Sequence, residues 1–238
     1  MSPKAQKTLL LFTESFPYGK RETFIETEIL YLSQAFEEVH IYPEKASGKA
    51  RPIPPNTKVI KLDFPQLTEA RQLILGNIMD LGSIYLYELA HASNKQPYLK
   101  EFKPNFNLLV ARYHHAILLE ETLGKYDLSQ AVVYTYWFKN WASLLALVKH
   151  RGKLSFEHFT RIHGYDYDIK QNGQGYFPFR SFEMSKVDRI YSPTRYGKRY
   201  IQQHFPKYKG QLNLSHVSVQ EKGDNPQIKK GFFQICSC

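Results

Sequence analysis

Cysteine is nearly absent. The chain of 238 residues has two, Cys236 and Cys238, both among the last three positions. Side chains two apart on a strand share a face but are poorly placed for a relaxed disulfide. No disulfide framework exists, so a reducing compartment, the cytoplasm, is expected. Long apolar runs are also missing. Lys4 and Lys7 precede Leu9-Leu10-Leu11-Phe12, which is too short for the core of a signal peptide. The region from Leu73 to Ala90 is broken by Asn77, Asp80 and Glu88, which excludes a membrane span. Metal-ligand spacing is lacking too. There is no His-Glu-x-x-His, and the neighbours His114 and His115 would point about 100° apart on a helix, so neither a metal nor another cofactor is expected. Acidic residues are in deficit: 22 against 32 Lys and Arg, a net charge of +10. Such a balance favours a polyanionic neighbour, whether nucleic acid, anionic lipid or a phosphorylated substrate.

What is present reads as alternating strands and helices. Thr8–Phe12 is a continuous apolar run, as expected of a strand buried on both faces. A loop with Pro17 and Gly19 follows. Phe24, Ile25, Ile29, Leu32 and Phe36 then recur at helical spacing, predicting a helix over about 22–36. That loop carries one glycine and no Gly-x-Gly-x-x-Gly, and Glu22, Glu26 and Glu28 crowd the helix start, so it is a poor dinucleotide signal. Strands are predicted at 39–42, 58–62, 131–136, 156–160, 188–192 and 212–217, and helices over 68–93, 106–123, from Trp141, 176–186 and 194–204. The repeated strand-helix-strand order predicts an α/β fold with a doubly wound parallel sheet and helices on both faces.

In such sheets ligands sit beyond the carboxyl ends of the strands. The segment Arg161-Ile162-His163-Gly164-Tyr165-Asp166-Tyr167-Asp168 follows a strand and ends in a turn. It would deliver an imidazole, a guanidinium, carboxylates and phenols to that edge, or its Asp and Tyr could simply cap a helix. Imidazole orients a hydroxyl as donor or acceptor. Trp137 and Trp141, also at a strand end, could stack on a sugar or a base, or serve as packing. The densest basic region, Arg180 to Lys209, has eight Lys or Arg against Glu183 and Asp188. It could be a solvated face or could meet an anionic membrane or phosphorylated ligand.

Three blocks resemble bacterial glycosyltransferase family 4. They are Glu14-Ser15-Phe16-Pro17-Tyr18-Gly19 with Glu22-Thr23-Phe24-Ile25 and Glu28-Ile29; Arg161-Ile162-His163-Gly164-Tyr165-Asp166 with Phe177-Pro178-Phe179-Arg180; and Asp188 to Thr194 with Gly197 and Tyr200-Ile201. The resemblance implies the N-terminal half of a GT-B enzyme: a Rossmann-like domain that receives a glycan or glycolipid acceptor. A second domain would hold a nucleotide-sugar through Glu-x7-Glu, and transfer would retain configuration without a metal. By this likeness His163 is the catalytic-site residue, reaching a hydroxyl of the donor sugar. Tyr18 and Gly19 would line the cleft, with Arg161, Asp166, Arg180 and Thr194 as further substrate-binding candidates. Where the family often has two adjacent glycines, this chain has Tyr18-Gly19.

Residues 1–219 are thus expected to form an acceptor-binding domain, 220–230 a linker, and 231–238 the first strand of a donor domain that is cut short. No Glu-x7-Glu follows residue 230, so the chain by itself is expected to lack turnover. Peripheral contact with an anionic membrane is a further expectation, and nucleic acid is not an expected partner. Two alternatives stand beside this: a non-enzymatic polyanion-binding module, and a nucleotide-binding α/β regulator.

Overall fold

The computed structural model of the chain describes residues 8–168 and 175–216. The expected linker, the terminal strand at 231–238 and most of the Asn172–Gly175 turn lie outside the described residues. Seven strands form one sheet: β1 (Thr8–Thr13), β2 (Glu38–Pro43), β3 (Thr57–Val59), β4 (Ala131–Thr135), β5 (His158–Arg161), β6 (Arg189–Ser192) and β7 (Leu212–Leu214). Their order is β3-β2-β1-β4-β5-β6-β7, and every pair is parallel. The expectation of a Rossmann-like, doubly wound parallel sheet therefore holds.

The helices are α1 (Phe24–Ala35), α2 (Ala70–Gly76), α3 (Ile78–His91), α4 (Gln96–Lys100), α5 (Phe102–Leu123), α6 (Asn140–Arg151), α7 (Gly164–Tyr167), α8 (Arg180–Lys186) and α9 (Arg195–His204). The pleat divides the strands between two faces. Leu9, Leu11, Val39, Ile41, Val132 and Tyr134 pack against Ile25 and Ile29 of α1. Leu10, Phe12 and Val133 point the other way, into a core built by α3, α5, α6 and α8. A third cluster joins Ile190 and Leu212 to Ile201 of α9. Among the described helices, α1 is thus the one that covers the first face. Helix α6 is enclosed on all sides: every residue from Trp141 to Val148 is buried. It ends at Gly152, whose φ of +71° is the left-handed conformation that terminates helices readily.

Besides the short α4, which periodicity does not predict, and α8, which begins at Arg180 rather than 176, three elements differ from the sequence expectation. The predicted helix over 68–93 is two, interrupted at Asn77, whose backbone leaves the helical region and whose side-chain amide caps the Leu73 carbonyl. The helix predicted from 106 begins at Phe102, because Pro104 falls in the first turn, where backbone N–H groups need no partner. The loop after β5 contains the single turn α7, which periodicity cannot register at that length. The long excursion from β3 through α2–α5 returns the chain to the far side of β1. Strand order therefore reverses between β1 and β4, and the crevice beyond their carboxyl ends is where such sheets bind ligands.

Candidate functional site

At the end of β1 the chain turns through Glu14, Ser15 and Phe16, presenting consecutive amides. Such an array cradles phosphate in many α/β proteins. Here Glu22 occupies it. Its carboxylate accepts from the backbone N–H of Glu14, Ser15 and Phe16 at 3.1, 2.6 and 2.6 Å, and from the Ser15 hydroxyl at 3.0 Å. The Trp137 indole donates to the same carboxylate at 2.6 Å. Glu22 is buried and holds a left-handed φ of 57°, a conformation a β-carbon disfavours. The first loop is closed by the chain's own anion. Tyr18 pairs with Ala50 in an isolated antiparallel bridge and lies under the Lys61 ammonium, 5.0 Å from its ring centre. Gly19 is exposed, with φ of +67°. Both stand on the β2 side of the crevice rather than beside His163.

His163 lies two residues beyond β5, on the side of the sheet covered by α1. Its ring packs among Trp137, Tyr136 and Phe24, at centroid distances of 4.3, 5.6 and 6.0 Å. Both ring nitrogens are buried without a hydrogen-bond partner. Buried polar atoms are nearly always bonded, so two such atoms on one ring single out this imidazole among the strand-end residues. Asp166 is fully buried beside it. Its Oδ2 accepts from the His163 backbone N–H at 2.9 Å and stands 3.7 Å from Nδ1, while the Asp166 N–H donates to the His163 carbonyl at 2.9 Å. Asp166 thus locks the turn that carries the imidazole, which is the helix-capping use that the sequence also allowed.

Arg161 lies beneath this box. Its guanidinium donates to Glu28 at 3.3 Å and sits over the Tyr136 ring. Burial works against its charge, but Tyr134 and Glu28 outweigh that and push its pKa up. Its Nε and Nη1 have no partner. Arg161 lines a groove of about 270 Å³ between α1 and the strands, together with Leu32, Phe36 and Phe159, and not the cavity of the strand-end crevice.

The crevice itself holds a cavity of about 360 Å³. Glu14 and Glu44, at the ends of β1 and β2, form one wall, and Lys139, Arg112, Tyr165 and Arg180 contribute to the others. It adjoins the imidazole box on two sides: Tyr165 follows His163 by two residues, and the Lys139 ammonium sits 4.8 Å over the Trp137 ring. Arg180 is held between Phe138 and Phe177, 4.1 and 4.8 Å from their ring centres, and donates to the Phe138 carbonyl at 2.8 Å. Glu183 approaches both Arg112, at 3.4 Å, and Arg180, at 3.3 Å, and accepts a short hydrogen bond from Ser143. Burial lowers the pKa of Arg112, Glu183 offsetting part of the effect. Burial also opposes the charge of Glu14, but Lys45, Lys139 and Arg21 outweigh it and hold that carboxyl below its usual range.

Thr194 has a structural task. Its hydroxyl accepts from the Gly197 N–H at 3.0 Å and caps α9, beyond β6. Gly197 is required there, since a β-carbon would lie 2.6 Å from Ser192 Oγ. Of the residues singled out from sequence, Arg180 lines the crevice cavity, whereas His163 and Asp166 belong to the adjoining box and do not line it. The fold sets Arg161 below and leaves Tyr18, Gly19 and Thr194 to the flanks. Sequence reasoning missed Glu22, Arg112, Lys139 and Glu183. Glu22 and Lys139 lay inside segments already marked, whereas Arg112, in mid-helix, carries no local signal. Among the described residues no group of three or more His, Cys, Asp or Glu is arranged to hold a metal ion, and no helix is long and apolar enough to cross a membrane.

No family model matches the sequence, and no curated protein matches it significantly.

Proposed function

We propose that this domain binds the acceptor for a retaining, family 4-like glycosyltransferase that moves a sugar from a nucleotide-sugar to a glycan or glycolipid. The observation that carries this is the aromatic box around His163, whose buried ring nitrogens have no protein partner, beside a polar cavity at the β1/β4 crevice that Lys139 and Tyr165 line. Aromatic faces beside polar groups suit a sugar, which has apolar C–H faces and hydroxyl edges. The imidazole would orient one hydroxyl of the sugar being transferred. In the reaction the bond from the anomeric carbon to the nucleoside diphosphate breaks and a bond to an acceptor oxygen forms. The acceptor's proton leaves with the diphosphate. The described residues favour positioning over nucleotide binding, since the amides that could meet a diphosphate already bind Glu22. Correct positioning alone can lower a barrier by several kcal/mol. Peripheral contact with anionic lipid belongs to the same proposal and is motivated by the net charge of +10.

Saturation-transfer NMR with a panel of mono- and oligosaccharides, read together with Trp fluorescence, tests it. Sugar contacts that His163→Ala weakens by at least about tenfold, a change of about 1.4 kcal/mol, are expected. A chain that ignores every saccharide is not an acceptor domain. A second reading is favoured by one feature: Tyr196, 60 % exposed, stands between Arg195 and Lys198 on α9, as on polyanion-binding surfaces. That alternative predicts RNA or heparin binding that collapses steeply as salt rises.

A further inference from the structure

The cavity has a charge imbalance. Lys45, Arg112, Lys139 and Arg180 line it against Glu14, Glu44 and Glu183, so four cations face three carboxylates. The pairing is uneven as well. Glu14 engages Lys45 at 3.1 Å and Lys139 at 3.7 Å. Glu44 accepts from Asn140 at 2.8 Å. At the other end the two guanidiniums, Arg112 and Arg180, share Glu183 alone among the described residues as their carboxylate within 4.0 Å.

Arg180 is the informative member. It is only 6 % exposed, and its Nε is buried without a hydrogen-bond partner. Its plane is fixed by the rings on its two faces and by the bond to the Phe138 carbonyl, so the orphan N–H has a set direction. Removing a guanidinium from water is expensive unless an oxyanion replaces the lost solvation, and the planar fork matches a carboxylate or phosphate. The 360 Å³ cavity is within the size range of small-ligand sites. A nucleotide's diphosphate has no comparable place at the first loop, whose amides are taken.

We infer that the acceptor bears an anionic group, a sugar carboxylate or a phosphate, and that Arg180 and Arg112 receive it in this cavity. This rests on the acceptor-domain assignment and narrows it to acidic acceptors. The hydroxyl to be glycosylated would then lie toward Trp137 and His163, across the boundary formed by Lys139 and Tyr165.

Calorimetric titration of the full chain with glucuronate, glucose 6-phosphate, glucose and inorganic phosphate tests the inference. At least one charged sugar is expected to bind about tenfold or more tightly than glucose, a difference of about 1.4 kcal/mol. Which of the two wins distinguishes a carboxylate from a phosphate acceptor. Arg180→Lys, which keeps the charge but not the fork, is expected to narrow that margin to about threefold or less. Arg112→Gln, at a partly exposed site, serves as the second variant if Arg180→Lys does not fold. Equal affinity for glucose and both charged sugars overturns the acidic-acceptor inference and leaves the acceptor assignment standing. Binding of inorganic phosphate with no sugar of either kind overturns both. A charged-sugar preference that survives in both variants places the anion elsewhere and overturns the inference.

Discussion

The loop after β1 and the loop after β5 end at the same edge of the sheet, yet they treat their polar groups in opposite ways. In the first, three consecutive amides, a hydroxyl and an indole N–H all converge on Glu22, and the loop is saturated. In the second, the imidazole of His163 is boxed by aromatic rings and left with neither nitrogen bonded, and Arg180 beside the adjoining cavity keeps an orphan N–H. A saturated loop contributes stability and has nothing left to offer a ligand. An unsaturated one forgoes stability and keeps directional groups in reserve. The two loops touch through Trp137, which donates to Glu22 and packs at a tilt against His163, so the saturated loop serves as a wall of the unsaturated one.

The largest test of this contrast compares Glu22→Ala with His163→Ala. Removing the carboxylate leaves neutral donors unpaired and should lower unfolding free energy by about 1–3 kcal/mol for each one left buried. Removing an imidazole that makes no hydrogen bond should lower it by about 1 kcal/mol or less, the value of its ring contacts. Urea denaturation measures both, and equal losses would erase the distinction.

A smaller effect concerns two buried titratable groups. Burial pushes Glu88 up to about 7, partly opposed by the Phe182 amide and the Tyr98 hydroxyl. What Glu88 contributes to stability is therefore complete below its ordinary value of 4.5 and lost as pH rises through about 7. His158 is the reverse. Burial lowers it to about 3, with Lys149 adding to the effect, so its contribution is present above its ordinary 6.5 and lost as pH falls toward 3. Between about 4.5 and 6.5 the two slopes, each up to about 1.4 kcal/mol per pH unit, oppose one another. Glu88→Gln removes the first, so its stability should fall more steeply than wild type on acidification from pH 6.5 to 4.5. Parallel urea midpoints across that window would show that Glu88 is not the compensating group.

The smallest effect separates a cap from a ligand contact. Thr194→Ala should lose about 1 kcal/mol of stability through the uncapped α9, with sugar binding unchanged. Lost sugar affinity with unaltered stability would move Thr194 into the site.

Much of this architecture is legible from the chain. The apolar run at Leu9–Phe12, the β-branched run of β4, the helical spacing of α1 and the Ser192-Pro193-Thr194 opening of α9 are local patterns, and each of these elements stands within a few residues of its expected place. The turn at His163 was legible because titratable residues follow a strand directly. The break at Asn77 was not, since it depends on side-chain bonding that periodicity does not report. Nor was the partnership of Arg112 with Glu183, 71 residues apart, or of Trp137 with Glu22, 115 apart. Such pairs exist only once the α2–α5 excursion has carried the chain across the sheet.

By itself the sequence determined the alternation of parallel strands and helices, because burial on one face or two imposes its period on nearby residues. Only the tertiary structure decided which polar groups are spent and which remain. Hydrogen-bond saturation depends on partners brought together by the crossover, and no local pattern encodes whether Glu22 reaches three amides or Arg180 keeps one N–H unpaired.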